Sequence, residues 1–350
     1  MRALTLCLVG VSHRNASVEM RERFTVPGRE LPEALQSLRS HPIREAVVLS
    51  TCSRVECYVA AEDPESAREG LVDFLSYRSR LHPDAFRSHL YHAAHGEAAA
   101  HLFRVAAGLD SAVLGESEIT AQVKEAYRLA HALGATGPLL NRVFQKALHA
   151  AKEIRSRTAI GQGQASIGSV VVTLTRQLFG EQLARCEVLL WGAGKAAEAT
   201  ARHLMKGGVR RLWIVNRTQP KAEDLASLCS GGWLSWEQAL AHLAHVDIAI
   251  VCTQAPHYVI DQADLEAVMP QRGGRPLCLI DLAVPRNVDP LLKSRPGVTL
   301  YNIDDLQAIA QEGLAARRND LAQCATIIHQ QLGHVWSRPA SVPREEGATC

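Results

Sequence analysis

At 350 residues, with 47% apolar and 21% charged side chains, the chain has an ordinary globular composition and room for two cores. A formal net charge of +2 excludes a general polyanion binder, so any nucleic-acid contact has to come from a local basic patch. Nine cysteines without one CxxC pair exclude the usual zinc and thioredoxin spacings and point to free thiols in a reducing, cytoplasmic compartment, and no apolar run approaches a membrane span.

The apolar run Leu4–Val11 predicts a first strand. It lacks a small-residue cleavage site and leads straight into the polar turn Ser12-His13-Arg14-Asn15, which sets it apart from a secretory leader. Helical stretches follow near Val18–Phe24 and after Pro27-Gly28. Ala46–Ser50 reads as a buried strand and Val55–Ala60 as a third. Asp63-Pro64 opens a helix with proline in its first turn. A strand near His89–His92 completes a small mixed sheet, and the βαβ-like alternation predicts an α+β domain.

Between the second and third strands stands Ser50-Thr51-Cys52-Ser53-Arg54-Val55-Glu56. A cysteine at a strand end, flanked by hydroxyls and an arginine, is where positive charge favours the nucleophilic thiolate. A buried structural thiol is the competing reading. His89, His92, His95 and the nearby His101 are spaced suggestively, but no carboxylate or cysteine pattern completes a ligand set, so no metal is expected.

Gly96–Gly108 reads as a helix carrying His101. The next segment, Gly108 to Ile119, is a glycine-bracketed loop rich in hydrogen-bonding side chains and suited to a polar ligand, with helix capping by Ser111 or Ser117 as the alternative. Helical patterns run over Thr120–Leu133 and Leu139–Arg157. The second carries Arg142, Lys146, Lys152, Arg155 and Arg157, either a basic face or a solvated helix end. Ala165–Phe179 is an apolar helix joining two domains.

The strand Val188–Trp191 runs into Gly192-Ala193-Gly194-Lys195-Ala196-Ala197 and a helix. This GxGxxA turn suits a dinucleotide: one glycine for the tight turn, one for close approach of the pyrophosphate, and a helix N-terminus for the anion. The strand Leu212–Val215 ends in Asn216-Arg217-Thr218. No acid stands there for ribose hydroxyls, and a guanidinium takes its place, which fits a 2′-phosphate and hence NADP. Val246–Val251, leading to Cys252, and Leu277–Ile280, leading to Asp281-Leu282-Ala283-Val284-Pro285-Arg286, continue a parallel sheet, with Thr299–Ile303 as an edge strand. From Asp304 to about Trp336 one long helix is predicted, with Arg317, Arg318 and Asp320 among its charges and Leu306, Leu314 and Ile327 on its apolar face. Ser337–Cys350 reads as a disordered end.

In this order, the segments Val9–Ala16, Arg21-Glu22, Ser50–Glu56, Gly108-Leu109-Asp110-Ser111 with Leu114-Gly115-Glu116, Gly192–Lys195, Asn216–Thr218 and Asp281–Arg286 resemble glutamyl-tRNA reductase over about residues 5 to 336. Shikimate dehydrogenases share the GxG and Asn-Arg-Thr features. The resemblance implies an α/β protein with three parts: an N-terminal α+β catalytic domain (1–158), a Rossmann-type NADP-binding domain (159–302), and a C-terminal helical segment and tail (303–350) that corresponds to a shortened dimerisation region. It implies an NADPH-dependent oxidoreductase that reduces glutamyl-tRNA to glutamate-1-semialdehyde, opening tetrapyrrole synthesis. Cys52 then forms a thioester and His101 assists as acid–base or positioning group. Thr51, Ser53, Arg54, Ser111, Glu116, Ser117, Glu118 and Gln122 fall on substrate-binding positions, with Arg54 as clamp for the glutamyl carboxylate and Glu116 for the α-ammonium. The family often has glutamine where Glu118 stands. A homodimer and handover of the aldehyde to glutamate-1-semialdehyde aminomutase are implied partners. The alternatives are a paralogue acting on another acyl donor and a non-catalytic NADP-binding pathway partner.

Overall fold

The computed structural model describes residues 3–39, 42–158, 160, 166–311 and 318–336. Its first unit contains β1 (Thr5–Ser12), α1 (Val18–Arg21), α2 (Leu31–Leu38), β2 (Ile43–Ser50), β3 (Arg54–Ala61), α3 (Pro64–Ser79), β4 (Tyr91–Ala94), α4 (His95–Ala106), α5 (Glu118–Ala132) and α6 (Pro138–Arg157). The strands lie in the order β2-β3-β1-β4, and every pairing is antiparallel. The mixed sheet expected from the alternation is thereby corrected. Only Thr51–Ser53 link β2 to β3, and so short a connection joins antiparallel neighbours, whereas a parallel pair needs a crossover of a dozen residues or more. The fourth strand also lies later than His89–His92.

Gly10 of β1 faces Glu56 on one neighbour and Tyr91 on the other. A Cβ there would stand 2.9 Å from both the Glu56 Cγ and the Tyr91 ring, so the missing side chain lets those two meet above the strand. Helices α2 to α6 pack on the sheet and close one core that includes Phe24, Tyr58, Phe103 and Phe144.

The second unit contains α7 (Ile167–Phe179), β5 (Glu187–Trp191), α8 (Lys195–Gly207), β6 (Arg211–Val215), α9 (Gln219–Leu228), β7 (Gly232–Leu234), α10 (Trp236–His242), β8 (Ile248–Val251), α11 (Gln262–Val268), β9 (Leu277–Asp281), β10 (Val298–Tyr301) and α12 (Ile303–Gln311). All its strand pairs are parallel, in the order β10-β9-β8-β5-β6-β7. This is the doubly wound dinucleotide-binding order, with the topological switch between β5 and β8. β8 and β9 are buried along their whole length, as central parallel strands covered on both faces are. The helix read as a connector, α7, packs on α8 and α12 and so belongs to this unit.

Of the single helix expected from Asp304 to Trp336, the structure describes α12 and α13 (Arg318–Trp336). Leu314 and Arg317 lie outside the described residues, as does the tail Ser337–Cys350. α12 packs on α7, while α13 lies on α6 and α4 of the first unit, burying Cys324, Ile327, Ile328 and Val335 there. Arg142, read as part of a basic face, donates to the Val335 carbonyl (3.3 Å). Arg155 bonds Thr120 and Arg157 pairs with Glu153, so three of the five charges on α6 are spent inside the chain.

Candidate active site

The β2–β3 ladder closes at Ser50 opposite Val55, and the Thr51 N–H donates to the Arg54 carbonyl (2.8 Å). Cys52 and Ser53 are therefore the central residues of a tight turn at the hairpin tip. The Thr51 hydroxyl accepts from the N–H groups of Ser53 (3.2 Å) and Arg54 (3.1 Å), so this side chain shapes the turn. Arg21 donates from Nε and Nη2 to the Cys52 carbonyl, both at 3.3 Å. Cys52 is half-buried. Burial, then the charges of Glu116 and Glu118, push its thiol up to about 12, while Arg21 pulls the other way. The cation that acts on this thiol is Arg21, and the neighbouring Arg54 is not among the charges that move it.

The reason is strand alternation. Arg54, Glu56 and Tyr58 sit two apart on β3 and share one face. Arg54 Nη1 bonds Glu56 Oε1 (2.8 Å) and Asp110 Oδ2 (2.9 Å), and Nη2 bonds the Asp110 carbonyl (2.5 Å). Glu56 also accepts from Tyr58 (2.6 Å) and Tyr91 (2.5 Å) and contacts His101 Nε2 at 2.7 Å. Arg54 and Glu56 are both 0% exposed. Burial works against the Glu56 charge, yet Arg54 and then His101 and Tyr58 hold its carboxyl well below the usual range. The open arginine clamp expected at position 54 is corrected too. Its two terminal nitrogens are committed, and its Nε is buried with no partner among the described residues. His101 is held to Glu56 instead of standing free.

The loop after α4 is pinned by Gly108 and Gly115, both at positive φ (+74° and +78°), with the Gly115 N–H bonded to the Gly108 carbonyl (2.9 Å). A Cβ on Gly115 would run into the Ile160 carbonyl. The loop presents Ser111 and Glu116. Burial, with the charge of Glu118, raises the Glu116 carboxyl to about 7 against the pull of Arg54, and the Ser111 hydroxyl is buried with no hydrogen-bond partner among the described residues. Glu118 starts α5, is raised by burial and lowered by Lys195, and accepts from Gln122 Nε2 at 3.5 Å. Ser117 precedes it as an exposed N-cap whose side chain makes no capping bond. Ser53 is buried within 3.4 Å of the Thr51 hydroxyl.

His13 joins this region unannounced. Burial, then Arg54, Arg21 and Arg14, pull it down to about 4, so the imidazole is neutral, and its buried Nδ1 has no partner among the described residues. With Arg14, Leu109, Ser111 and Leu321 of α13 it lines a cavity of about 280 Å³. Among the described residues no three metal-binding side chains gather.

In the second unit Gly192 has φ +116°, and a Cβ on it would meet the Cys252 carbonyl. Gly194, the N-cap of α8, has open space where a Cβ would point, and no side chain caps the helix. Ala197 is buried, Ala193 is half-buried against the domain core, Ala196 is half-buried and Lys195 is exposed. Uncapped N–H groups with free access are what a pyrophosphate requires. Asn216 Nδ2 donates to the Thr218 carbonyl (3.0 Å), shaping the turn after β6. Arg217 is exposed, with no ion pair among the described residues, and no acid stands at this strand end. These residues fit a nicotinamide dinucleotide.

The two units meet at their sites. Cys252, at the end of β8 beside the glycine turn, lies within electrostatic reach of both Cys52 and Glu118. The hairpin tip of the first unit thus faces the crevice of the second. Arg286 fastens the joint through Glu19 (2.8 Å) and Glu22 (2.8 Å), and Arg21 does so through Asp304 (2.7 Å). Sequence reasoning missed Arg21, His13, Glu56, Asp110, Tyr58, Tyr91 and Cys252 as parts of the site. The period of two along Arg54-Val55-Glu56-Cys57-Tyr58 carried a signal for Glu56 and Tyr58. No local pattern announces a contact such as Arg21 to Asp304, 283 residues away.

Residues 9–158 match the family model of the glutamyl-tRNAGlu reductase N-terminal domain, and residues 173–309 match that of shikimate / quinate 5-dehydrogenase. The chain is 39% identical over 330 residues to the glutamyl-tRNA reductase of Desulforudis audaxviator, covering 94% of this chain and 74% of that one. It is 41% identical over 327 residues to that of Solidesulfovibrio magneticus, covering 93% and 72%. The solved glutamyl-tRNA reductase from Methanopyrus kandleri matches with a TM-score of 0.51 at 34% identity, covering 94% of this chain and 79% of that one.

Proposed function

This chain belongs to the glutamyl-tRNA reductase family, and we propose that it performs the NADPH-dependent reduction of glutamyl-tRNA to glutamate-1-semialdehyde through a thioester on Cys52. It is an oxidoreductase with a nicotinamide-type nucleotide domain. The observation that carries the reading is the meeting of Cys52 at its hairpin tip with the Gly192–Gly194 crevice across the domain joint.

In the first half-reaction the Cys52 sulfur attacks the ester carbonyl carbon. The bond to the tRNA ribose oxygen breaks, the thiol proton is passed to that oxygen, and a thioester remains. A thiolate is both a good nucleophile and a good leaving group, which divides one hard reduction into two easier steps. His101, ordered by Glu56, is assigned the proton traffic. The buried Arg54–Glu56–Asp110 network fixes the hairpin and the 108–117 loop against each other, so that Ser111, Glu116, Glu118 and Gln122 meet the glutamyl group in one geometry. Glu116, near neutrality when the site is empty, becomes the partner of the α-ammonium once that charge arrives.

NADPH, when bound, supplies the hydride that reduces the thioester carbonyl. The residues that would hold it are the Gly192–Ala197 turn for the pyrophosphate and Asn216–Thr218 for the ribose, where Arg217 would meet a 2′-phosphate. The C–S bond then breaks, returning the Cys52 thiolate and releasing the aldehyde. The proposed setting is the cytoplasm, because the free cysteines suit a reducing compartment. A second copy of the chain and handover to an aminomutase complete the proposal, the latter because a free aldehyde is reactive.

The test is a single-turnover assay with labelled glutamyl-tRNA, with and without NADPH, on wild type and Cys52→Ser. A covalent glutamyl adduct on wild type alone, converted to semialdehyde by NADPH, is the expected result. An adduct on both proteins, or NADPH binding with no adduct on either, sinks the mechanism.

A further inference from the structure

Arg21 is 1% exposed, the fourth and last residue of a one-turn helix that follows the N-cap Ser17. Its guanidinium is fully occupied. Nη1 donates to the Ala16 carbonyl (2.8 Å), Nε and Nη2 donate to the Cys52 carbonyl, and Nη2 reaches Asp304 Oδ1 at 2.7 Å. Asp304 is the second residue of α12, which packs on α7 of the nucleotide unit, and its other oxygen accepts from the Val18 N–H (2.9 Å). One planar cation therefore bridges the peptide carbonyl of the nucleophile and a carboxylate of the opposite domain. The paired Arg286–Glu19 and Arg286–Glu22 contacts hold the same segment from the other side.

The charges facing the Cys52 thiol are few. Glu116 and Glu118 come from the loop and the start of α5, Cys252 from the end of β8, and Arg21 from α1. Arg54, the neighbour in sequence, is turned away into its own ion pairs. Arg21 is thus the cation that favours thiolate at position 52, and Asp304 offsets part of its field at 2.7 Å.

We propose that Arg21 is a positioning residue for Cys52 and that Asp304 moderates it, so that the nucleotide domain sets, through one carboxylate, how reactive the thiol of the catalytic domain is. Asp304 makes no hydrogen bond to Cys52 or to the glycine turn; its carboxylate holds the Arg21 guanidinium and the Val18 N–H. The inference rests on Cys52 being the nucleophile, but its test reads thiol chemistry alone and needs no tRNA.

The experiment measures the rate of iodoacetamide alkylation at Cys52 between pH 7 and 10 on the full chain. Peptide mass spectrometry resolves the site, since eight of the nine cysteines lie elsewhere. Removing the unit positive charge that lies 3.3 Å from the Cys52 carbonyl, in Arg21→Gln, is expected to slow alkylation at pH 8 about tenfold. Asp304→Asn is expected to speed it severalfold, because the guanidinium keeps its charge and loses its counter-ion. Arg21→Lys loses the forked contacts but keeps the unit charge, and is expected to stay within about threefold of wild type. The opposite signs are the diagnostic, since a merely structural tie would slow or speed both variants together. Equal-sign changes, or no change in Asp304→Asn, overturn the proposal. Should Arg21→Gln fail to fold, Asp304→Asn and Arg21→Lys decide it alone: an accelerated Asp304→Asn with a near-normal Arg21→Lys upholds it, and any other pair refutes it.

Discussion

Glu56→Gln removes one charge from the centre of the first unit and changes almost no volume. The carboxylate is fully buried, accepts from Arg54, Tyr58 and Tyr91, and is bonded to His101, all between 2.5 and 2.8 Å. Breaking a buried pair by removing one partner costs about 3–5 kcal/mol, because the other charge stays buried. Here Arg54 keeps Asp110 at 2.9 Å, which places the loss at the lower end, about 3 kcal/mol. For a folding unit of this size that corresponds to a fall in melting temperature of about 6–12 °C. Thermal unfolding followed by circular dichroism checks it, and the difference should persist in 1 M salt, since a buried pair is hardly screened. Glu62→Gln is the control. It breaks the surface pair with Arg44 (2.9 Å), a kind of contact worth about 0–1 kcal/mol. If Glu56→Gln melts within about 2 °C of wild type, or no lower than Glu62→Gln, the network does not hold the domain and the account of the site's rigidity is wrong.

Gly194→Ala should fold with wild-type stability, since its Cβ points into open space, yet lose NADPH affinity about tenfold or more by blocking the pyrophosphate; Gly192→Ala, at φ +116° against the Cys252 carbonyl, should lose both, and equal melting temperatures for the two would refute the distinction. Arg217→Ser should cut the ratio of NADH to NADPH dissociation constants by about 10–100-fold, read by fluorescence titration, as expected for a charge-assisted bond worth about 1.5–3 kcal/mol; an unchanged ratio removes the 2′-phosphate role. The raised Glu116 carboxyl binds its proton more tightly in the folded state, so its contribution is fully present below about pH 4.5 and is lost as pH rises through about 7. Glu116→Gln should flatten that decline, by up to about 3 kcal/mol in denaturant titrations at pH 5 and 8, and an unchanged pH slope counts against the burial of this carboxyl.

Much of the molecule was written locally. The apolar strand, the glycine turn and the following helix at Val188–Ala197 are contiguous, and contiguous patterns survive folding because backbone geometry and hydrophobic period act over neighbouring residues. The parallel sheet, the two strands that flank Cys52 and the absence of an acid after β6 were legible for the same reason, whereas the antiparallel hairpin those two strands form was not. The resemblance supplied the rest of the site residues, position by position. What sequence adjacency misjudged was charge. Arg54 stands two residues from Cys52, but the alternation of a strand sends it into Glu56 and Asp110, and the cation that does reach Cys52 is Arg21, 31 residues earlier. What raises the thiol is burial first and then the charges of Glu116 and Glu118, which surround it only once the loop has packed. The meeting of the two sites, carried by Arg21–Asp304 and Arg286–Glu22, joins residues more than 260 apart. Electrostatic environment is a property of distance in space and of excluded water, so the chain order specified the reacting groups while only the tertiary structure decided their charge and their partners.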